Sequence, residues 1–149
     1  MVRGVFDKDM ESDCKQLGGF MTTRFQKCYF IADAESSGSI EDGAAVCNAK
    51  WTGAAVVYPQ TLEEMYLIGD LYNRHTGLID VPVDLIVSGG EIISRDMQFA
   101  VDSDSILHDE DLTCKNQCCI TVNISDMKMK FTGCKNSVFR YYLCSKDLL

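Results

Sequence analysis

The chain has 149 residues, 46% of them hydrophobic, which suits one compact domain with a real core rather than two. Its formal net charge is -8, from 22 acidic against 14 basic side chains, which argues against a general attraction to nucleic acid or anionic lipid. The sequence contains no run of about 18 apolar residues that could span a membrane, and MVRGVFDKDM lacks the apolar core of a signal peptide, so an extracellular chain would have lost its leader.

Eight cysteines at this length point to an oxidising compartment and four bridges. Zinc is poorly served. Cys114, Cys118 and Cys119 form a C-x3-C-C pattern, the next nearby cysteine is Cys134, and His75 and His108 are the sole histidines. No ligand pair meets a second pair at zinc-finger spacing.

Residues 1–13 read as a flexible extension of a single domain spanning 1–149. Cys14 and Cys28 then enclose Gly18, Gly19, Phe20 and Phe25, a hairpin or Ω-shaped turn closed by its own disulfide. Tyr29-Phe30-Ile31 is a strand, and Glu35-Ser36-Ser37-Gly38 turns the chain. Ser39 caps a helix with Asp42 three residues on, and Ile40, Ala44 and Cys47 mark its inward face. An inward cysteine with no near neighbour expects a covalent partner at the far end of the chain.

Ala54 to Val57 form a short apolar strand that stops at Pro59. Thr61 and Glu64 make a T-x-x-E box for a second helix with Met65, Ile68 and Tyr72 inward, ending near Gly77. His75 in its last turn reads as an exposed residue interacting with the helix C-terminus. Val81, Val83, Leu85 and Val87 alternate as a strand, Ser88-Gly89-Gly90 turns, and Met97 to Val101 reads as another strand. Next comes an acidic stretch with Asp102, Asp104, Asp109, Glu110 and Asp111, which lacks the central glycine and final glutamate of an EF-hand loop. In the strand after the cysteine doublet, Ile120, Val122 and Ile124 face inward and Thr121 and Asn123 outward, and Asn123-Ile124-Ser125 is an N-glycosylation acceptor. Lys128, Lys130, Lys135, Arg140 and Lys146 read as a solvated strand face.

No G-x-S-x-G, H-E-x-x-H, G-x-x-x-x-G-K-[ST] or G-x-G-x-x-G is present, and Glu63 and Glu64 suit helix capping better than acid/base work. A non-enzymatic role is expected.

Cys28-Tyr29-Phe30, Ala45-Val46-Cys47, Trp51-Thr52-Gly53-Ala54 with Val57, Glu64, and Cys134 followed by Tyr141-Tyr142-Leu143-Cys144 make the chain resemble the C-type lectin-like domain, in its long form with an N-terminal disulfide. From Ile79 to Thr113 it departs from that family by lacking a W-I-G-L stretch, for which Val83-Asp84-Leu85-Ile86-Val87 substitutes. The resemblance implies an α+β fold with two helices, small antiparallel sheets and a long loop. It implies the pairs Cys14–Cys28, Cys47–Cys144 and Cys134 with Cys118 or Cys119, leaving Cys114 for the other member of the doublet.

In that family the long loop carries calcium and the ligand-binding surface. Sugar-binding members show E-P-N or Q-P-D there and W-N-D before the penultimate cysteine. This chain has neither, and Met129, Lys130 and Phe131 stand where W-N-D would be. No calcium is expected at a sugar site, and no other cofactor or metal is expected. The expectation is a secreted or cell-surface recognition module binding a protein through residues 88–113, with Glu91, Arg95, Asp96, Asp102, Asp104, His108 and Asp109 as first candidates. The alternatives are a lectin with a non-standard glycan site and a structural or matrix module.

Overall fold

The computed structural model of the chain describes residues 8–88, 91–94, 100–101, 118–134 and 138–148. In chain order they form α1 (Lys8–Gln16), β1 (Phe20–Thr22), β2 (Lys27–Gly38), a 3-10 turn (Ile40–Asp42), α2 (Gly43–Lys50), β3 (Ala55–Val56) and α3 (Leu62–Thr76). After these come β4 (Asp80–Ser88), β5 (Glu91–Ser94), β6 (Ala100–Val101), β7 (Cys118–Asn123), β8 (Lys128–Thr132) and β9 (Phe139–Asp147). The architecture is the expected disulfide-rich α+β class, with one helix more than the two foreseen.

Two antiparallel sheets carry the fold. The first has the order β1-β2-β9-β3, and its central ladder pairs β2 with β9 in unbroken register from Lys27 opposite Asp147 to Asp33 opposite Tyr141. The second has the order β6-β5-β4-β7-β8. Val57 joins them through its backbone: its N–H donates to the Leu143 carbonyl (3.0 Å) and its carbonyl accepts from the Asp84 N–H (2.8 Å). Asp84 lies where the register of β4 on β7 slips between Val83 and Ile86, a bulge that turns its N–H from that ladder to Val57.

Helix α1 takes up residues 8–13 of the expected 1–13 extension, and residues 1–7 lie outside the described residues. Asp9 and Glu11 lie in its first turn, Lys15 bonds to Glu11 one turn back, and Met10, Cys14 and Leu17 give it an apolar edge at helical spacing. Cys14 bonds from this helix to Cys28 on β2, so the disulfide clamps a helix onto the β1–β2 hairpin.

The helix expected after Ser39 opens as a 3-10 turn, with the Ser39 N–H donating to Asp42 Oδ2 (2.8 Å). In 3-10 geometry residues three apart eclipse. The buried positions are therefore Ile40, Gly43 and Cys47, while Ala44, expected inward, is exposed. Gly43 is needed for close approach: a Cβ there would lie 2.6 Å from Val56 Cγ2 and 2.7 Å from Tyr142 Cδ1.

Helix α3 follows its sequence signals closely. Thr61 Oγ1 accepts from the Glu64 N–H (3.1 Å), Gly77 closes the helix in the left-handed region at φ 75°, and Met65, Ile68, Leu71 and Tyr72 are buried. That face packs on Val81, Val83, Leu85, Ile120 and Val122 to form the main core. A second cluster gathers Phe30, Val56 and Tyr142 around the Cys14–Cys28 and Cys47–Cys144 bonds. Each fully buried apolar side chain contributes about 1.5 to 3 kcal/mol, and the buried tyrosines keep their hydroxyls bonded. Tyr72 donates to the Tyr141 carbonyl (2.8 Å) and Tyr142 to the Ser39 carbonyl (2.6 Å).

The Cys47–Cys144 bond ties α2 to β9 across a sequence separation of 97. Replacing both cysteines with alanine is expected to lower the unfolding free energy by about 4 to 5 kcal/mol, the chain-entropy value for so long a loop. Denaturant unfolding of the double variant checks this, and a loss within experimental error of zero would show that the β2–β9 ladder closes the frame without sulfur.

Candidate functional site

The second sheet determines where its longest excursion begins and ends. Val101 on β6 pairs with Ile92 on β5, Ile92 with Val87 on β4, and Val87 with Cys118 on β7. These four residues make one transverse row, so the segment 102–117 leaves and rejoins the sheet at points about 14 Å apart, three strand spacings. Glu91 pairs with Ser88 one position beyond this row and is exposed. It is the one first-candidate residue within the described structure. Arg95, Asp96, Asp102, Asp104, His108 and Asp109 lie outside the described residues, as does most of the strand expected over Met97–Val101, of which Ala100 and Val101 form β6.

The roots of the excursion are anchored. Cys119 is fully buried with Ile40, Ile86 and Ile93, and bonds to Cys134, so of the doublet it is Cys119 that pairs there. Cys118 is also disulfide-bonded, and Cys114, the mate expected for it, lies outside the described residues. Successive strand residues point to opposite faces, which lets the doublet serve two partners.

Elsewhere the expected side chains fall as follows. Met129 is fully buried, Phe131 packs against the main core, and Lys130 Nζ lies 2.7 Å from Asp126 Oδ2. Lys146 donates to the Thr52 carbonyl (2.7 Å) and sits over Trp51, and Arg140 grips both carboxylate oxygens of Asp33 (2.9 and 3.0 Å). That guanidinium, with the Glu35 backbone N–H, holds the Asp33 carboxyl below its ordinary range. Lys130, Arg140 and Lys146 each have a partner of their own, and Lys135 lies outside the described residues. His75 is exposed, its Nδ1 2.9 Å from the Leu71 carbonyl at the end of α3. Thr121, expected outward, is only 7% exposed, on a central strand where it pairs with Pro82 of β4 and Lys130 of β8.

One polar centre exceeds its expected role. Glu64 is 1% exposed, and its carboxylate accepts from Tyr29 Oη (2.6 Å), Lys27 Nζ (3.0 Å) and the Gln60 N–H (3.0 Å). The residue expected as a helix cap thus also locks the head of α3 onto β2. Its partners on β2 lie 35 and 37 positions away, beyond the reach of any local motif. The neighbouring cleft between α3 and the first sheet, lined by Phe20, Leu71 and His75, encloses about 10 Å³, room for one water and no ligand. Among the described residues no group of three or more His, Cys, Asp or Glu is arranged to hold a metal ion, and no helix is long and apolar enough to cross a membrane.

No family model and no curated protein matches the sequence. Solved structures do. Human lithostathine aligns with a TM-score of 0.67 over 87% of this chain and 88% of its own, at 14% identity. The mouse scavenger receptor C-type lectin carbohydrate-recognition domain aligns at 0.57 over 83% and 91%, at 18% identity. EMS16, an antagonist of the collagen receptor integrin α2β1, aligns at 0.58 over 89% and 98%, at 15% identity. The chain therefore has the C-type lectin-like fold.

Two measurements test the polar framework. Glu64→Ala strips a half-buried lysine and a buried tyrosine of their acceptor and is expected to cost about 3 to 5 kcal/mol in denaturant unfolding. Glu63→Ala, at an exposed pair with Arg24, should cost less than about 1 kcal/mol. Second, burial raises the hydroxyls of Tyr29, Tyr72 and Tyr142 above the ordinary tyrosine value, with the Glu64 carboxylate adding to the shift at Tyr29. Their folded values lie above the unfolded ones, so their contribution is fully present below pH of about 10 and is lost as pH rises beyond it. Alkaline titration followed by phenolate absorbance should show three of the six tyrosines protonated until the chain unfolds.

Proposed function

We propose that this chain is an extracellular, non-enzymatic recognition module that binds a protein ligand through the 102–117 excursion and its roots, without calcium at a sugar site. The observation that carries the reading is the anchored row Val101–Ile92–Val87–Cys118, with Glu91 just beyond it. A segment whose ends are fixed by a sheet and by disulfides loses less freedom on binding than a free one. The segment brings Asp102, Asp104, Asp109, Glu110 and Asp111 to a chain of net charge -8, a composition that steers and orients a basic protein partner. Where sugar-binding relatives place oxygen ligands, this chain has buried Met129, paired Lys130 and Phe131, which offer no hard oxygen donors. Three described disulfides, with Cys118 also bonded, support an oxidising and therefore extracellular setting.

A second reading, glycan binding at a non-standard site, draws on the likeness to the mouse carbohydrate-recognition domain. Affinity capture from extracellular fluid in EDTA separates the two. The wild-type chain should retain a protein that a D102N/D104N/D109N variant does not, and a glycan array should stay blank. Thermal unfolding should give the same midpoint in calcium and in EDTA, because an ion that binds only the folded state would raise it. A calcium-dependent rise, or array binding abolished by EDTA, would overturn the calcium-free protein reading.

A further inference from the structure

The sequence holds one N-x-[ST] triplet, Asn123-Ile124-Ser125, and the structure places Asn123 at the end of β7 with Ile124 and Ser125 in the turn to β8. Asn123 lies at the opposite end of β7 from Cys118, so it is about 17 Å from the root of the 102–117 excursion. Its side chain is already oriented: Oδ1 accepts from the Ser125 N–H (2.9 Å), closing an Asx-turn, and Nδ2 donates to Asp80 Oδ1 (2.8 Å). Ser125 and Asp126 are exposed. Beside the turn the Ile124 N–H donates to the Ile79 carbonyl (2.9 Å), which brings Leu78 and Ile79, 43% and 46% exposed, next to the triplet. They are two of the five large apolar side chains exposed among the described residues.

We propose that Asn123 carries an N-linked oligosaccharide in the secreted protein, and that this sugar lies over the apolar pair Leu78–Ile79, at the pole away from the recognition face. The donor class is a lipid-linked oligosaccharyl diphosphate. The bond between the first sugar carbon and the diphosphate oxygen breaks, a bond from that carbon to Nδ2 forms, Nδ2 gives up one proton, and the lipid diphosphate leaves. No electrons are transferred. The resulting secondary amide keeps one N–H, and Oδ1 remains an acceptor for the Ser125 N–H. In a eukaryotic secretory pathway the compartment that forms disulfides also supplies such donors.

The test is intact-mass analysis and peptide mapping of the full chain secreted from a glycosylating eukaryotic host. Wild type is expected to carry an oligosaccharide adduct that an amide-cleaving glycosidase removes, leaving aspartate at that position. Ser125→Ala, which keeps the backbone donor and the Asn123 contacts, is expected to lose the adduct with its unfolding midpoint unchanged, and Ser125→Thr to keep it. Disulfide-bonded wild type with no adduct, or an adduct that survives Ser125→Ala, overturns the assignment. The covering of Leu78 and Ile79 is read separately. Enzymatic removal of the sugar should increase binding of an apolar fluorescent dye, and a Leu78→Ser/Ile79→Ser variant should abolish that increase. Equal dye binding before and after removal overturns the covering.

Discussion

The ladder between β2 and β9 is the constraint on which the remaining structure depends. It fixes the early part of the chain against the end of it, and the Cys47–Cys144 bond holds α2 across the same junction. Once this loop is closed, the second sheet, α3 and the acidic excursion all lie on a chain whose ends are settled. Closure entropy grows only with the logarithm of loop length, so long insertions between the two strands cost little more than short ones. A frame of this kind can carry segments of different length between the two strands at little added cost in stability.

Polar groups specify how α3 sits on that frame. Apolar packing along Met65, Ile68 and Tyr72 would tolerate small rotations of the helix, whereas the Glu64 carboxylate must meet three donors at once. A partly satisfied buried carboxylate is costly, so this cluster favours one orientation over its neighbours. The paired backbone bonds of Val57 play the same part between the sheets, since both of its polar groups are spoken for by different strands.

Much of this was legible in the residues, where the signals are local. Thr61, Glu64 and Gly77 delimit α3, and the alternation from Val81 to Val87 gives β4. What escaped depends on distance or on mixed geometry. Helix α1 was hidden by its polar composition, although Met10, Cys14 and Leu17 carried a helical spacing. Ala44 was misplaced because a 3-10 turn precedes α2 and shifts the inward position to Gly43. β5 is only four residues long and escaped notice. Of the candidate site, Glu91 and the two roots are the part the structure locates, and the burial of Cys119 beneath Ile40 decides which cysteine of the doublet meets Cys134.

The Val57 junction also matters mechanically. A pull applied at Val101 and Cys118, where segment 102–117 joins the second sheet, runs down that sheet. From there it crosses to the first through two hydrogen bonds facing opposite ways on a single peptide segment, backed by the covalent chain into α3. Because those bonds lie in series with the β2–β9 ladder, each junction carries the full tension, and the weaker of the two sets the force at which the sheets part.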